Sequence, residues 1–128
     1  MDEQGLSEHG LVKITGSAIA AIAAAAARQV EGVTGMAEGL ASRLGRWLLR
    51  RDGAPGVSVT LADKEVSMTV DILVAYGADI AEVASEVQRD VARVVEEMTN
   101  LSVREVNVNV RGIRPAEKSA AGGPDFQA

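Results

Sequence analysis

The strongest constraint on the fold is an alternation that begins at residue 57 and resumes after a turn to end at residue 76. Val57, Val59 and Leu61 alternate with Ser58 and Thr60. After a short turn at Ala62-Asp63-Lys64, Val66, Met68, Val70, Ile72, Val74 and Tyr76 alternate with Ser67, Thr69 and Asp71. Successive side chains of a strand point to opposite faces, so a period of two builds a hairpin with one apolar and one polar face. Such a sheet needs a helical cover on one side only.

The cover is legible further along the chain. Ile80, Val83, Ala84, Val87, Val91, Val94, Val95 and Met98 recur at steps of three and four, which predicts a helix over 79–100. Asp79 with Glu82 resembles a capping box, and Asn100 suits the left-handed residue that closes a helix. A second helix is expected from Thr15-Gly16-Ser17 to about Gln29–Glu31, with Ile19, Ile22, Ala23, Ala26 and Val30 on one face and Gly32 as its C-cap. Short strands are expected at Leu11–Ile14, Val33–Met36 and Val103–Val110.

This order predicts an α+β fold: a two-layer split βαβ-type sandwich, strand–helix–strand–strand–helix–strand, with an antiparallel or mixed sheet and its helices on one face. The strand at 33–36 and a short helix form an insertion between the halves. Residues 1–10 read as a flexible acidic arm and 11–113 as a single domain. Residues 39–52 are its basic amphipathic helical insertion, and 114–128 a disordered tail rich in Pro, Ala and Gly.

Composition limits the chemistry. Hydrophobic residues make up 47% but aromatic ones only 2%, so the core is aliphatic and offers few stacking surfaces for bases or flat cofactors. The absence of cysteine removes disulfides, thiolate nucleophiles and Cys-ligated metals. The one histidine, His9, falls in the expected arm, so no Ser-His-Asp, Cys-His or HExxH set can be assembled. Asp63, Glu65 and Asp71 read as solvated carboxylates, because none has a partner in sequence that would hold it as an acid or base. No catalytic residue, metal ligand or cofactor site is expected. The longest apolar run, Ala18–Ala27, is about half the length of a membrane-spanning helix.

Nucleic acid is disfavoured as a partner. The net charge of −5 repels phosphate, and Gly32-Val-Thr-Gly35, which has the GxxG form of an RNA-binding loop, is flanked by Glu31 and Glu38. The polar strand face (Ser58, Thr60, Ser67, Thr69, Asp71, Asn107 and Asn109) carries no aromatic on which a base could stack. That face reads equally as an interface or as an ordinary wet surface.

One segment stands apart. Residues 40–51 carry Arg43, Arg46, Arg50 and Arg51 with no acid, and contain the only tryptophan. On a helical wheel Leu40, Leu44, Trp47 and Leu48 share a face, with Arg43, Arg46 and Arg50 on its flank. A basic amphipathic helix with Trp suits an anionic membrane surface or a docking partner, and the alternative function it offers is a peripheral membrane-surface or nucleic-acid-binding module built on 40–51. Packing on the domain edge, with the arginines paired to acids, is the competing reading.

The chain resembles the alkaline-shock-protein family, the bacterial envelope-stress domain. The resemblance rests on Gly10-Leu-Val-Lys-Ile-Thr15, Ile19–Ala27 running into Val30-Glu-Gly-Val-Thr-Gly-Met36, Gly56-Val-Ser-Val, Ile72-Leu-Val-Ala-Tyr-Gly77, Ile80-Ala-Glu-Val, Gln88-Arg-Asp-Val, Val95-Glu-Glu-Met-Thr-Asn100 and Val106-Asn-Val-Asn-Val110, in order over roughly residues 10–112. It implies a cytoplasmic, non-enzymatic protein that self-associates as a scaffold and is held at the inner face of the cell membrane by a small membrane-anchored protein. The family supplies no catalytic residues to carry over.

Overall fold

The computed structural model describes residues 4–7, 9–37 and 56–115. Its elements are β1 (Gln4–Ser7), β2 (Gly10–Lys13), α1 (Gly16–Arg28), β3 (Val33–Met36), β4 (Val57–Ala62), β5 (Glu65–Ala75), α2 (Ile80–Thr99) and β6 (Ser102–Arg114). The fold is α+β in two layers, as the alternation and the helical stripe predict. The sheet is mixed: β3 and β4 run antiparallel to β5, and β6 runs parallel to it.

The alternation of β5 organises everything else. Val66, Met68, Val70, Ile72 and Val74 are buried on the face that both helices cover. Parallel pairing of β5 with β6 requires a crossover, and α2 supplies it. Val83, Val87, Val91 and Val95, spaced one turn apart, are the buried seam of α2, and Ile19, Ala20, Ala23, Ala24 and Ala27 are that of α1. Alanine in α1 lets that helix sit close to the sheet.

Caps fix the helix ends. Thr15 Oγ1 accepts from Ala18 N at 3.2 Å, and Asp79 Oδ1 from Glu82 N at 3.2 Å. Asn100 closes α2 in the left-handed conformation (φ 62°), its N–H donating to Glu96 O at 2.9 Å. α1 closes at Gln29 rather than at Gly32; Gly32 (φ +101°) instead makes the turn into β3, where a Cβ would lie 2.6 Å from Val83 Cγ2. The β4–β5 turn is Asp63-Lys64, with Asp63 left-handed (φ 55°).

β5 has two edges. β4 pairs with residues 65–70 and β3 with residues 72–74 of one edge, end to end, while β6 runs along the whole of the other. Both edges are therefore filled, and the strand expected at Leu11–Ile14 is not in this sheet. Its residues form β2, which pairs antiparallel with β1 in a separate ribbon, Leu6 opposite Leu11 and Gly5 opposite Val12. Gln4–Ser7, expected in a flexible arm, are thus a strand. At the other end β6 continues through Arg114, which pairs with Ala75, so Arg114 belongs to the sheet and not to a tail. Residues 116–128 lie outside the described residues.

Candidate interaction face

The sheet face away from the helices is the candidate site. Register sets its rows: Thr60, Ser67 and Glu105 lie side by side, then Ser58, Thr69 and Asn107, then Asp71 and Asn109, then Gly35, Leu73 and Gly112. Every polar residue expected on this face from the alternation is found on it. Short side chains keep it flat, and polar heads fill three of the four rows.

Asp71 is the most connected of these groups. Its Oδ1 accepts from Asn109 Nδ2 at 2.9 Å, and its Oδ2 lies 3.6 Å from Arg111 Nη1. Its backbone also bridges two distant parts of the chain. The N–H donates to Gly56 O at 2.7 Å and the carbonyl accepts from Ala37 N at 3.0 Å. Ala37 and Gly56 therefore meet the sheet on the same residue. Gly56 (φ +78°) is held so closely there that a Cβ would lie 2.9 Å from both Ala37 O and Asp71 O.

Sequence reasoning missed two features of the face. Leu73 is half-buried on its outer side among glycines; a Cβ on Gly112 would approach its Cδ2 to 3.1 Å. Arg111 is turned toward Asp71 by a bulge in β6, where the register with β5 shifts between Ile72 and Leu73. A bulge breaks the period of two and leaves only an Arg-Gly pair as its trace in the sequence.

Other expected positions fall elsewhere. Leu40, Arg43, Leu44, Arg46, Trp47, Leu48, Arg50 and Arg51 lie outside the described residues. Gly32 and Gly35 are not a nucleic-acid loop: Val33–Met36 is a strand, with Gly35 paired to Leu73. Tyr76, expected on the apolar face, lies beyond the end of β5 and is 77% exposed. His9 stands in the turn between β1 and β2. Among the described residues no helix is long and apolar enough to cross a membrane, and no three His, Cys, Asp or Glu residues are grouped to hold a metal ion.

Known proteins support the family. The chain is 35% identical over 109 residues to the uncharacterized protein YqhY of Bacillus subtilis (strain 168), covering 82% of this chain and 78% of that one. It is 32% identical over 110 residues to YloU of the same organism, covering 84% and 92%. Neither name carries an enzymatic activity. Among solved structures, a MamM CTD variant in its cadmium form aligns with a TM-score of 0.48 at 14% identity, covering 80% of this chain and all of that one. Residues 4–115 match the model of the alkaline shock protein 23 family, described as of cell envelope-related function. This chain belongs to the alkaline shock protein family.

Proposed function

We propose that the chain is a non-enzymatic scaffold of the cell envelope that self-associates and binds a small membrane-anchored protein at the inner face of the cytoplasmic membrane. The sheet face away from α1 and α2 is the partner-binding surface in this reading. The observation that carries it is the order of that face: Asp71 is fixed by Asn109 and Arg111, and Ser58, Thr60, Ser67 and Thr69 form a flat hydrogen-bonding surface beside it. A small, preset polar surface loses little side-chain entropy on binding.

A pull-down from native membranes tests this. The parent chain recovers a membrane protein, and a Ser67→Arg/Thr69→Arg chain with unchanged circular dichroism recovers at least about tenfold less, because two buried charges cost more than one tenfold step of affinity. Equal recovery by both chains overturns the assignment of the face.

A second reading gives the membrane contact to the chain itself. Residues 40–51 would dock on anionic lipid through Arg43, Arg46, Arg50 and Arg51, with Leu40, Leu44 and Trp47 entering the headgroup region. It is favoured by the charge of the segment, four arginines and no acid in a chain of net charge −5. Binding to vesicles that requires anionic lipid and weakens in salt supports it. Unchanged membrane localisation after Arg43→Glu, Arg46→Glu and Arg50→Glu together removes it.

A further inference from the structure

A strand at the edge of a sheet presents a row of backbone N–H and C=O groups that another strand can pair with. The two edges of this sheet differ. One is made of two strands end to end, β3 and β4, which meet where Ala37 and Gly56 bond to Asp71. The β6 edge runs unbroken from Ser102 to Arg114, and among the described residues β6 pairs with β5 alone.

Hydrogen bonds show which groups of β6 point outward. Ser102 N–H donates to Lys64 O, and Arg114 O accepts from Tyr76 N, so these residues face β5. Val103 N–H donates to Glu96 Oε2 at 2.9 Å and Val106 O accepts from Gln88 Nε2 at 3.0 Å, so these face away and are capped by α2. Between the register shifts at Arg104 and Arg111 the strand is regular, and Val108 and Val110 therefore present their backbone groups on the same open side as Val106. Among the described residues α2 caps none of β6 beyond Val106. Val108 and Val110 are half-buried and Ile113 is 46% exposed, so apolar side chains on the helix side also end at this edge.

We propose that β6 pairs antiparallel with β6 of a second copy about a two-fold axis at Val108, joining two sheets into one. The sequence of the edge fits a copy of itself in this register. Val108 opposes Val108 of the partner subunit, and Val106 opposes Val110 of the partner subunit, all with outward backbone groups, as the hydrogen-bonded pairs of an antiparallel ladder require; the Val106 carbonyl, which already accepts from Gln88 Nε2, takes the second bond on its other lone pair. On the outer face Asn107 opposes Asn109 of the partner subunit, and Glu105 opposes Arg111 of the partner subunit. Two copies of a chain with net charge −5 repel one another, and this register sets an opposite-charge pair at each end of the contact. With the axis at Val106, Glu105 would face an asparagine; with it at Val110, Arg111 would. Both shifts lose the charge pairs. The proposal rests on the self-association assigned above and names the surface that performs it.

The register can be read by cross-linking, because the chain has no cysteine of its own. Asn107 and Asn109 form the non-hydrogen-bonded pair across the axis, with Cα atoms about 4.5 Å apart, inside the range a disulfide spans. Chains carrying Asn107→Cys and Asn109→Cys are mixed and oxidised. A cross-link at least about tenfold more abundant in the mixture than in either chain alone supports the register, since each variant alone sets its thiols further apart. A mixture no more cross-linked than the single chains overturns it.

Sedimentation supplies the second readout. Val108→Pro removes an outward N–H from each copy and weakens the dimer about tenfold or more. Glu105→Arg, on an exposed side chain, weakens it severalfold and more so at low salt. Dimers of unchanged affinity in Glu105→Arg at low salt overturn the interface even where Val108→Pro does not fold. Association without the mixed cross-link means that the chain assembles through another surface, and the scaffold reading stands. A strict monomer at millimolar concentration removes self-association itself, and the edge with it.

Discussion

Glycines mark how far single residues can be read from sequence. Gly56 invites a turn, but what makes it irreplaceable is nonlocal: backbone oxygens of Ala37 and Asp71 stand where a side chain would go. A Gly56→Ala chain meets rigid backbone and a positive φ together, and urea unfolding is expected to show a loss of about 2–4 kcal/mol. Gly35 is the contrast. Its φ lies outside the left-handed region and a Cβ would lie no closer than 3.9 Å to Arg114 Nη1, so Gly35→Ala is expected to be neutral or to stabilise by up to about 1 kcal/mol. A glycine in the sequence signals backbone freedom. Whether that freedom is used depends on which distant strand lies opposite, and composition does not carry that.

At the scale of elements, legibility follows periodicity. The β4–β5 hairpin and α2 are both readable because their apolar residues repeat at the period of the element, and the caps at Asp79 and Asn100 bound α2 where the sequence places them. The stripe overruns at its ends: Met98 fits the spacing but is 65% exposed, and Thr99, bonded to Val95 O at 2.7 Å, takes the last buried position. Val91→Ala should therefore cost about 2 kcal/mol and Met98→Ala less than about 0.5 kcal/mol in chemical denaturation. Asp79→Ala, which strips the cap from Glu82 N, is expected to cost about 1 kcal/mol. β2 escapes the same reasoning because a four-residue strand has no period to speak of, and its place depends on which edges longer strands have already taken. The candidate face is half legible for a related reason. The Ser, Thr and Asn ladder follows the alternation, whereas Leu73 and Arg111 reach the face through glycine neighbours and a bulge.

At the scale of the whole molecule, Asp71 joins the two described stretches 9–37 and 56–115 through its backbone. Ala37 N–H and Gly56 O both bond to it, so a short bridge can span Ala37 and Gly56. Replacing residues 38–55 with a four-residue Gly-Ser linker shortens the connection between Ala37 and Gly56, and closing a shorter connection favours folding by about 1 kcal/mol. The shortened chain is expected to unfold cooperatively at a urea midpoint equal to or slightly above that of the parent. A lost or broadened transition would mean that residues 38–55 are part of the core. The same chain separates the two readings of function, because it lacks every arginine from Arg43 to Arg51 and keeps the sheet face and the β6 edge whole. If the partner binds the sheet, recovery from native membranes and the Asn107–Asn109 cross-link both survive the deletion. If the protein grips lipid through its basic segment, vesicle binding disappears while the cross-link persists. An outcome in which the cross-link alone is lost would tie residues 38–55 to the geometry of the far edge, and Asp71, bonded to Asn109 through its side chain and to Ala37 and Gly56 through its backbone, is the residue through which that coupling would run.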